Sequence, residues 1–187
     1  MRIIAGQFKG KKINAVEGLT ARPTTDYYRE LIFSVLYDLD ITMDKVLDLF
    51  AGSGALGLEA LSRGANHVDF VEASRKSGKT ILNNFSLLDC NSKCKLILKK
   101  AESFLSDCKN NYDLILIDPP YDKGFLNKIS LYILKNDIIS QEGVIVFEHS
   151  IKEKLNQDLL PFVFKIKQGG QTQISFISKN QKYFNKE

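Results

Sequence analysis

The chain has no apolar run approaching the roughly twenty residues that a membrane-crossing helix needs. Its opening, Met1-Arg2-Ile3-Ile4-Ala5-Gly6 followed by Lys9, has no long apolar core of the kind a secretory signal carries. Both absences predict a cytoplasmic protein. Cysteine is scarce and odd in number: Cys90, Cys94 and Cys108 do not suggest a disulfide framework. Cys90 and Cys94 have neither a second cysteine pair nor nearby histidines, so no zinc set is expected and the metal expectation is none. There are two histidines, His67 and His149. Glu148, His149 and Ser150 are contiguous on a strand, where side chains alternate direction, which excludes a hydrogen-bonded catalytic relay among them. No internal repeat or low-complexity linker is visible; only residues 179–187 read as a polar, frayed tail. At 187 residues and 44% hydrophobic content, the chain fits one soluble domain, with no room for a second, substrate-binding domain of the dehydrogenase kind.

What is present is concentrated at the ends of apolar runs. Leu114-Ile115-Leu116-Ile117 reads as a buried strand and ends in Asp118-Pro119-Pro120-Tyr121. Ligands of an open α/β sheet lie beyond the carboxyl ends of its strands. A carboxylate and the carbonyl preceding Pro120 accept hydrogen bonds from an exocyclic amine, the prolines fix the backbone, and Tyr121 offers a stacking face. That combination suits a planar, amine-bearing ring such as a nucleobase. The plainer reading of the tetrapeptide is a strand ending in a proline turn with a capping aspartate.

A second motif favours the ligand reading. Residues 46–57 run from a short apolar strand into glycines at 52, 54 and 57, the G-x-G-x-x-G spacing of a nucleotide-binding turn at a helix N-terminus. Glu72 ends the next strand, about twenty residues on, where an acidic side chain binds ribose hydroxyls. NAD and S-adenosylmethionine both fit so far, and charge decides between them. Asp48 at the mouth of the turn would repel a pyrophosphate and attract an ammonium and a sulfonium.

The net charge is +4, unevenly placed. Arg2, Lys9, Lys11 and Lys12 precede the first acidic residue, Glu17, and Arg22 and Arg29 follow. Residues 2–16 alternate around Phe8-Lys9-Gly10-Lys11 as an N-terminal β-hairpin carrying lysines in its turn. Such a ribbon predicts a nucleic-acid backbone contact, or otherwise a solvated edge. Beyond it, a helix runs to about residue 39. Strands near 45–50, 67–72, 95–99, 112–117, 143–148, 161–167 and 173–178 then alternate with helices near 55–63, 75–88, 101–108, 124–135 and 151–157. With Gly169-Gly170 as a hairpin turn, this predicts a Rossmann-like α/β fold: a doubly wound seven-stranded, mostly parallel sheet with one antiparallel strand. The whole of 1–187 is expected to be one domain, with 1–20 its basic hairpin extension.

Asp-x-Phe-x-Gly-x-Gly together with Asp-Pro-Pro-Tyr resembles the class I S-adenosylmethionine-dependent methyltransferases that modify exocyclic amines. Arg2 to Lys12, Arg22-Pro23-Thr24-Thr25-Asp26, Arg29-Glu30, Phe33 and Gly170-Gln171-Thr172 narrow the resemblance to the RsmD family of bacterial 16S rRNA guanine-N2 methyltransferases, over nearly the whole length. The resemblance implies methylation of a flipped-out guanine, at the position the family numbers 966, by direct transfer at Asp118, Pro119, Pro120 and Tyr121. It implies S-adenosyl-L-methionine held by Asp48, Phe50, Gly52, Ser53, Gly54, Glu72, Ala73 and Ala101, and RNA contacts from Lys9, Lys11, Lys12, Arg22, Thr24, Thr25 and Arg29. The implied partner is 16S rRNA, within an assembling small ribosomal subunit or free, met by a monomer with no membrane contact. Tyr27 and Tyr28 depart from the family's basic and aliphatic residues, and Lys100 from its polar or acidic one. Other readings of the same residues are an amino methyltransferase acting on DNA adenine or protein glutamine, and a noncatalytic RNA-binding module. The basic segment and the Arg-Pro-Thr-Thr-Asp loop argue for RNA over protein, and Asp118 argues for catalysis.

Overall fold

The central strands are apolar on both faces because both faces are covered. A computed structural model describes residues 1–17, 25–120 and 124–184. Along the chain it contains α1 (Thr25–Asp38), β1 (Lys45–Leu49), α2 (Ala55–Ser62), β2 (His67–Glu72), α3 (Arg75–Leu88), β3 (Cys94–Leu98), α4 (Ala101–Asp107), β4 (Tyr112–Ile117), α5 (Phe125–Lys135), β5 (Ile139–Ser150), β6 (Val163–Gly169) and β7 (Thr172–Ile177). Successive side chains on a strand point to opposite faces, and the core divides accordingly. Val46, Leu114, Leu116, Val144, Val146, Ile174 and Phe176 pack on one face with Ile32, Phe33 and Leu36 of α1, Leu58 of α2, and Ile81, Phe85 and Leu88 of α3. Leu47, Leu49, Ile115, Ile117, Ile145 and Phe147 pack on the other with Phe104 and Leu105 of α4 and Leu126, Ile129 and Ile133 of α5.

The sheet order is β3-β2-β1-β4-β5-β7-β6. β7 runs antiparallel to both β5 and β6, and the other pairs are parallel. The expected seven-stranded sheet with one antiparallel strand is therefore present. The order reverses between β1 and β4, where Leu49 lies beside Ile117. Such a reversal opens a crevice at the carboxyl ends of the two strands.

Three local expectations differ. Residues 151–157 form turns instead of a helix. Their polar groups bind α5: Glu153 Oε1 accepts from Leu126 N at 2.8 Å, and Asn127 donates to the Lys154 carbonyl and accepts from Asn156 N. These contacts satisfy donors of the first turn of α5 and hold the segment open. Of the expected tail, residues 179–184 are anchored through Gln181–Tyr183, and 185–187 lie outside the described residues: Tyr183 is 2% exposed, its hydroxyl donates to the Glu142 carbonyl at 2.8 Å, and its ring lies 5.3 Å from that of Phe164. The N-terminal segment does turn back on itself, but its ladder is a single bridge between Arg2 and Lys12. The Ile4 and Ala5 amides donate to the buried Glu59 carboxylate and the Phe8 amide to Ser62 Oγ, so the donors a longer hairpin needs are bound to α2.

Candidate active site

The segment after β1 enters α2 through two glycines in left-handed backbone, Gly52 (φ +58°) and Gly54 (φ +80°), preceded by Phe50 at φ +66°. A non-glycine residue in that region is strained, and such strain persists where the surroundings enforce it. Here the Ala51 amide donates to the Val71 carbonyl and the Gly54 amide to the Ala51 carbonyl, which tie the turn to β2 and to itself. Gly57 answers a different need. A Cβ there would lie 2.4 Å from Phe70 Cε1, so only glycine lets α2 press onto β2.

Two carboxylates organise the turn. Asp48 is 1% exposed, and its Oδ2 accepts from Gly57 N at 2.9 Å. Burial pushes its carboxyl up to about 7, the Gly57 bond opposing and the Glu72 charge adding to the rise. Glu72, at the end of β2, accepts from Gly52 N (2.8 Å) through Oε2 and from Ser74 N (2.7 Å) through Oε1. One side chain thus joins the glycine turn to the start of α3. The charge of Glu72, joined by that of Asp48 when it is ionised, disfavours a pyrophosphate here and suits a cationic ligand.

Asp118 and Pro119 follow β4 directly, just beyond the Leu49–Ile117 pair that ends the parallel register. Asp118 and Pro120 are exposed and Pro119 is buried. Ala73, exposed, follows β2; Ala101, buried, opens α4 after β3, with the exposed Lys100 as its N-cap. The ends of β3, β2, β1 and β4 therefore carry Ala101, Glu72, the glycine turn and Asp118 in spatial order, across about 14 Å at ordinary strand spacing. Tyr121, Arg22 and Thr24 lie outside the described residues, as does the side chain of Thr25, which opens α1.

The proposed RNA residues separate. Lys9, Lys11 and Lys12 are exposed. Their loop docks on the last turn of α2, with Gln7 N donating to the Ser62 carbonyl at 2.8 Å. Because α2 runs away from the carboxyl edge, the lysines stand off from the glycine turn by about its length, roughly 12 Å. Arg29 is 3% exposed, and its Nη2 donates to the Arg2 carbonyl (3.0 Å) and to Asp26 Oδ1 (2.5 Å). It ties the N-terminal segment to α1 from the interior and is not at the surface that Lys9, Lys11 and Lys12 occupy.

Two features escaped sequence reasoning. The Phe50 and Phe125 rings meet at 5.3 Å and form an aromatic wall from the glycine turn to the start of α5. Asn84 of α3, fully buried, donates to the Ser53 and Asn14 carbonyls and accepts from Asn14 N, joining the N-terminal segment to the turn. Asn84 leaves a faint trace in the sequence as a polar residue on the apolar face of a helix, between Ile81 and Phe85.

A glycine turn at the switch point of a seven-stranded sheet, with its last strand inserted antiparallel, defines a class I methyltransferase fold. Residues 1–178 match the family model described as Conserved hypothetical protein 95, and the chain belongs to that family, the RsmD family. Ribosomal RNA small subunit methyltransferase D of Escherichia coli is 34% identical over 155 residues, 83% of this chain and 77% of that protein. The Haemophilus influenzae protein of the same description is 32% identical over 151 residues, 79% of this chain and 78% of its own. The solved structure of the Escherichia coli protein yhhF is similar with a TM-score of 0.82 at 32% identity, covering 96% of this chain and 99% of that one.

Proposed function

We propose that this protein transfers a methyl group from S-adenosylmethionine to the exocyclic N2 of a guanine in 16S rRNA, at the position the family numbers 966, within an assembling small ribosomal subunit. One observation carries the reading: the Leu49–Ile117 register sets the glycine turn and Asp118 side by side at the switch point. A methyl donor held at one and an amine held at the other are neighbours.

The residues present fit the donor. Gly52 and Gly54 leave the backbone open to a ligand, Glu72 stands at the end of β2 where a ribose would lie, and Asp48 sits at the mouth of the turn. Phe50, Ser53, Ala73 and Ala101 complete the lining. When bound, S-adenosylmethionine supplies an electrophilic methyl on a sulfonium. Aligning the reactants at near-attack distance accounts for ~7–11 kcal/mol of a barrier, so no covalent nucleophile on the protein is needed.

Guanine N2 is a weak nucleophile because its lone pair is delocalised into the ring. Hydrogen bonds from its two N–H groups to Asp118 and to the Pro119 carbonyl favour a pyramidal nitrogen whose lone pair faces the methyl. Pro120 has no N–H and offers the amine no competing donor. Tyr121 stacks on the base and offsets part of the few kcal/mol needed to unstack it. After transfer the surplus proton passes to Asp118 or to water. The protein acts as a monomer in the cytoplasm. Nucleoside mass spectrometry of small-subunit rRNA from a deletion strain, before and after incubation with the protein and S-adenosylmethionine, tests the assignment. N2-methylguanosine absent and then restored is the expected result; a methyl on adenine or cytosine overturns it.

A further inference from the structure

α1 begins with two tyrosines in opposite situations. Tyr28 is 6% exposed, and its hydroxyl donates to the Gly169 carbonyl at the end of β6. The packing there is so close that a Cβ on Gly169 would lie 2.8 Å from the Tyr28 oxygen. Tyr27, its neighbour, is 57% exposed, and its ring meets that of Tyr28 edge-on at 5.4 Å and 61°. A fixed ring therefore supports an exposed one. Gly169 ends a strand parallel to β4, so this pair sits on the same carboxyl edge as Asp118, three strands away and about 14 Å across.

The surroundings suit a base. Gln168 and Gln171, both exposed, flank the Gly169-Gly170 turn, and no acidic residue occurs between positions 159 and 184. The carboxylates of α1 beside Tyr27 in sequence are Asp26, paired with Arg29, and the exposed Glu30. Tyr37 provides an internal contrast. It is more exposed, at 85%, but lies at the other end of the same helix, away from the carboxyl edge, and has no ring partner among the described residues.

We propose that Tyr27 is a stacking platform for an unpaired nucleobase of the substrate RNA that flanks the methylated guanine. The inference rests on the reading of the protein as an RNA methyltransferase. A planar, pre-oriented aromatic ring with amide groups beside it holds a base by its face while leaving its edge to hydrogen bonding. Tyr27 thereby determines which single-stranded context the guanine can be taken from, without touching the methyl donor.

The test uses the full chain, S-adenosylmethionine and small-subunit RNA lacking the modification, and measures kcat, the RNA KM, the RNA Kd and the cofactor Kd. Tyr27→Ala should raise the RNA Kd and KM by about fivefold or more, the loss of one stacked base, with kcat and cofactor Kd unchanged. Tyr27→Phe should remain close to the original protein, and Tyr27→Leu should behave like Tyr27→Ala. Tyr37→Ala serves as the surface control and should change none of the four. An unchanged RNA Kd for Tyr27→Ala, full rescue by leucine, or a parallel loss of cofactor binding overturns the platform. Absence of transfer to RNA by the unaltered protein overturns the methyltransferase reading itself, a separate and earlier outcome.

Discussion

Asn84 Nδ2 donates to the Ser53 carbonyl at 2.9 Å, so a side chain buried in α3 holds the backbone of the glycine turn. The same amide group donates to the Asn14 carbonyl at 3.0 Å, and its oxygen accepts from Asn14 N at 2.7 Å. The N-terminal segment and the turn are therefore coupled through one fully buried amide. Asn84→Ala leaves the Asn14 amide and two carbonyls without partners, which costs about 1–3 kcal/mol per buried group. Thermal unfolding should show a lowered midpoint, and calorimetry a weaker affinity for S-adenosylmethionine. A variant with an unchanged midpoint would show that this junction does not hold the turn.

Asp48 should make cofactor binding pH-dependent. Folding raises its pKa from 3.8 to about 7. The folded chain thus retains a proton that the unfolded chain has released, and the stability of the ligand-free protein falls as pH rises across that window. A cationic ligand favours the ionised carboxyl, so binding expels the proton and affinity falls as pH drops. Between about pH 8 and pH 6 the Kd for S-adenosylmethionine should rise roughly tenfold. Asp48→Asn should flatten both profiles; calorimetry between about pH 6 and pH 8 measures the affinity, and denaturant unfolding between about pH 4 and pH 7 the stability.

Asp118 and Tyr121 should separate chemically. Asp118→Ala removes an acceptor for the amine and is expected to abolish most turnover while leaving cofactor affinity nearly intact, because Glu72 and the glycine turn lie on other strands. Tyr121→Ala should lose about 1–3 kcal/mol of stacking, whereas Tyr121→Phe keeps the ring and most activity. Methyl-transfer assays on unmodified RNA decide both; near-normal turnover by Asp118→Ala would remove it from the mechanism.

Lys9, Lys11 and Lys12 are exposed at the far end of α2, with Lys11 Nζ 5.1 Å from the Phe8 ring centre. If they meet phosphates, replacing all three with alanine lowers the log-log salt slope of RNA affinity by about 0.7–0.9 per lost contact. Cofactor affinity should not move. An unchanged slope returns them to the role of a solvated edge.

The outline of the fold was legible because each central strand is covered on both faces, so apolar runs such as Leu114-Ile115-Leu116-Ile117 mark strands, while the Ile81, Phe85 and Leu88 spacing marks a helix buried on one side. The glycine turn was legible for the same local reason: left-handed backbone at Gly52 and Gly54 and close approach at Gly57 leave their residue type in the sequence. Segment 151–157 was misread because its helical spacing is a weak local preference. Bonds that Glu153 and Asn156 make to Leu126 and Asn127 of α5 outweigh it.

By itself, then, the sequence determined the order of the seven strands and of the helices as far as α5, the switch-point motifs and the identity of the residues at the strand ends, since these follow from period and local backbone demand. The tertiary structure decided which polar residues are inside. Arg29 and Lys9 are both basic and near the N-terminus, yet one is buried against the Arg2 carbonyl and Asp26 and the other is exposed. Burial of a charge depends on partners brought from distant positions, such as Glu59 meeting the Ile4 and Ala5 amides, and no local pattern encodes those meetings.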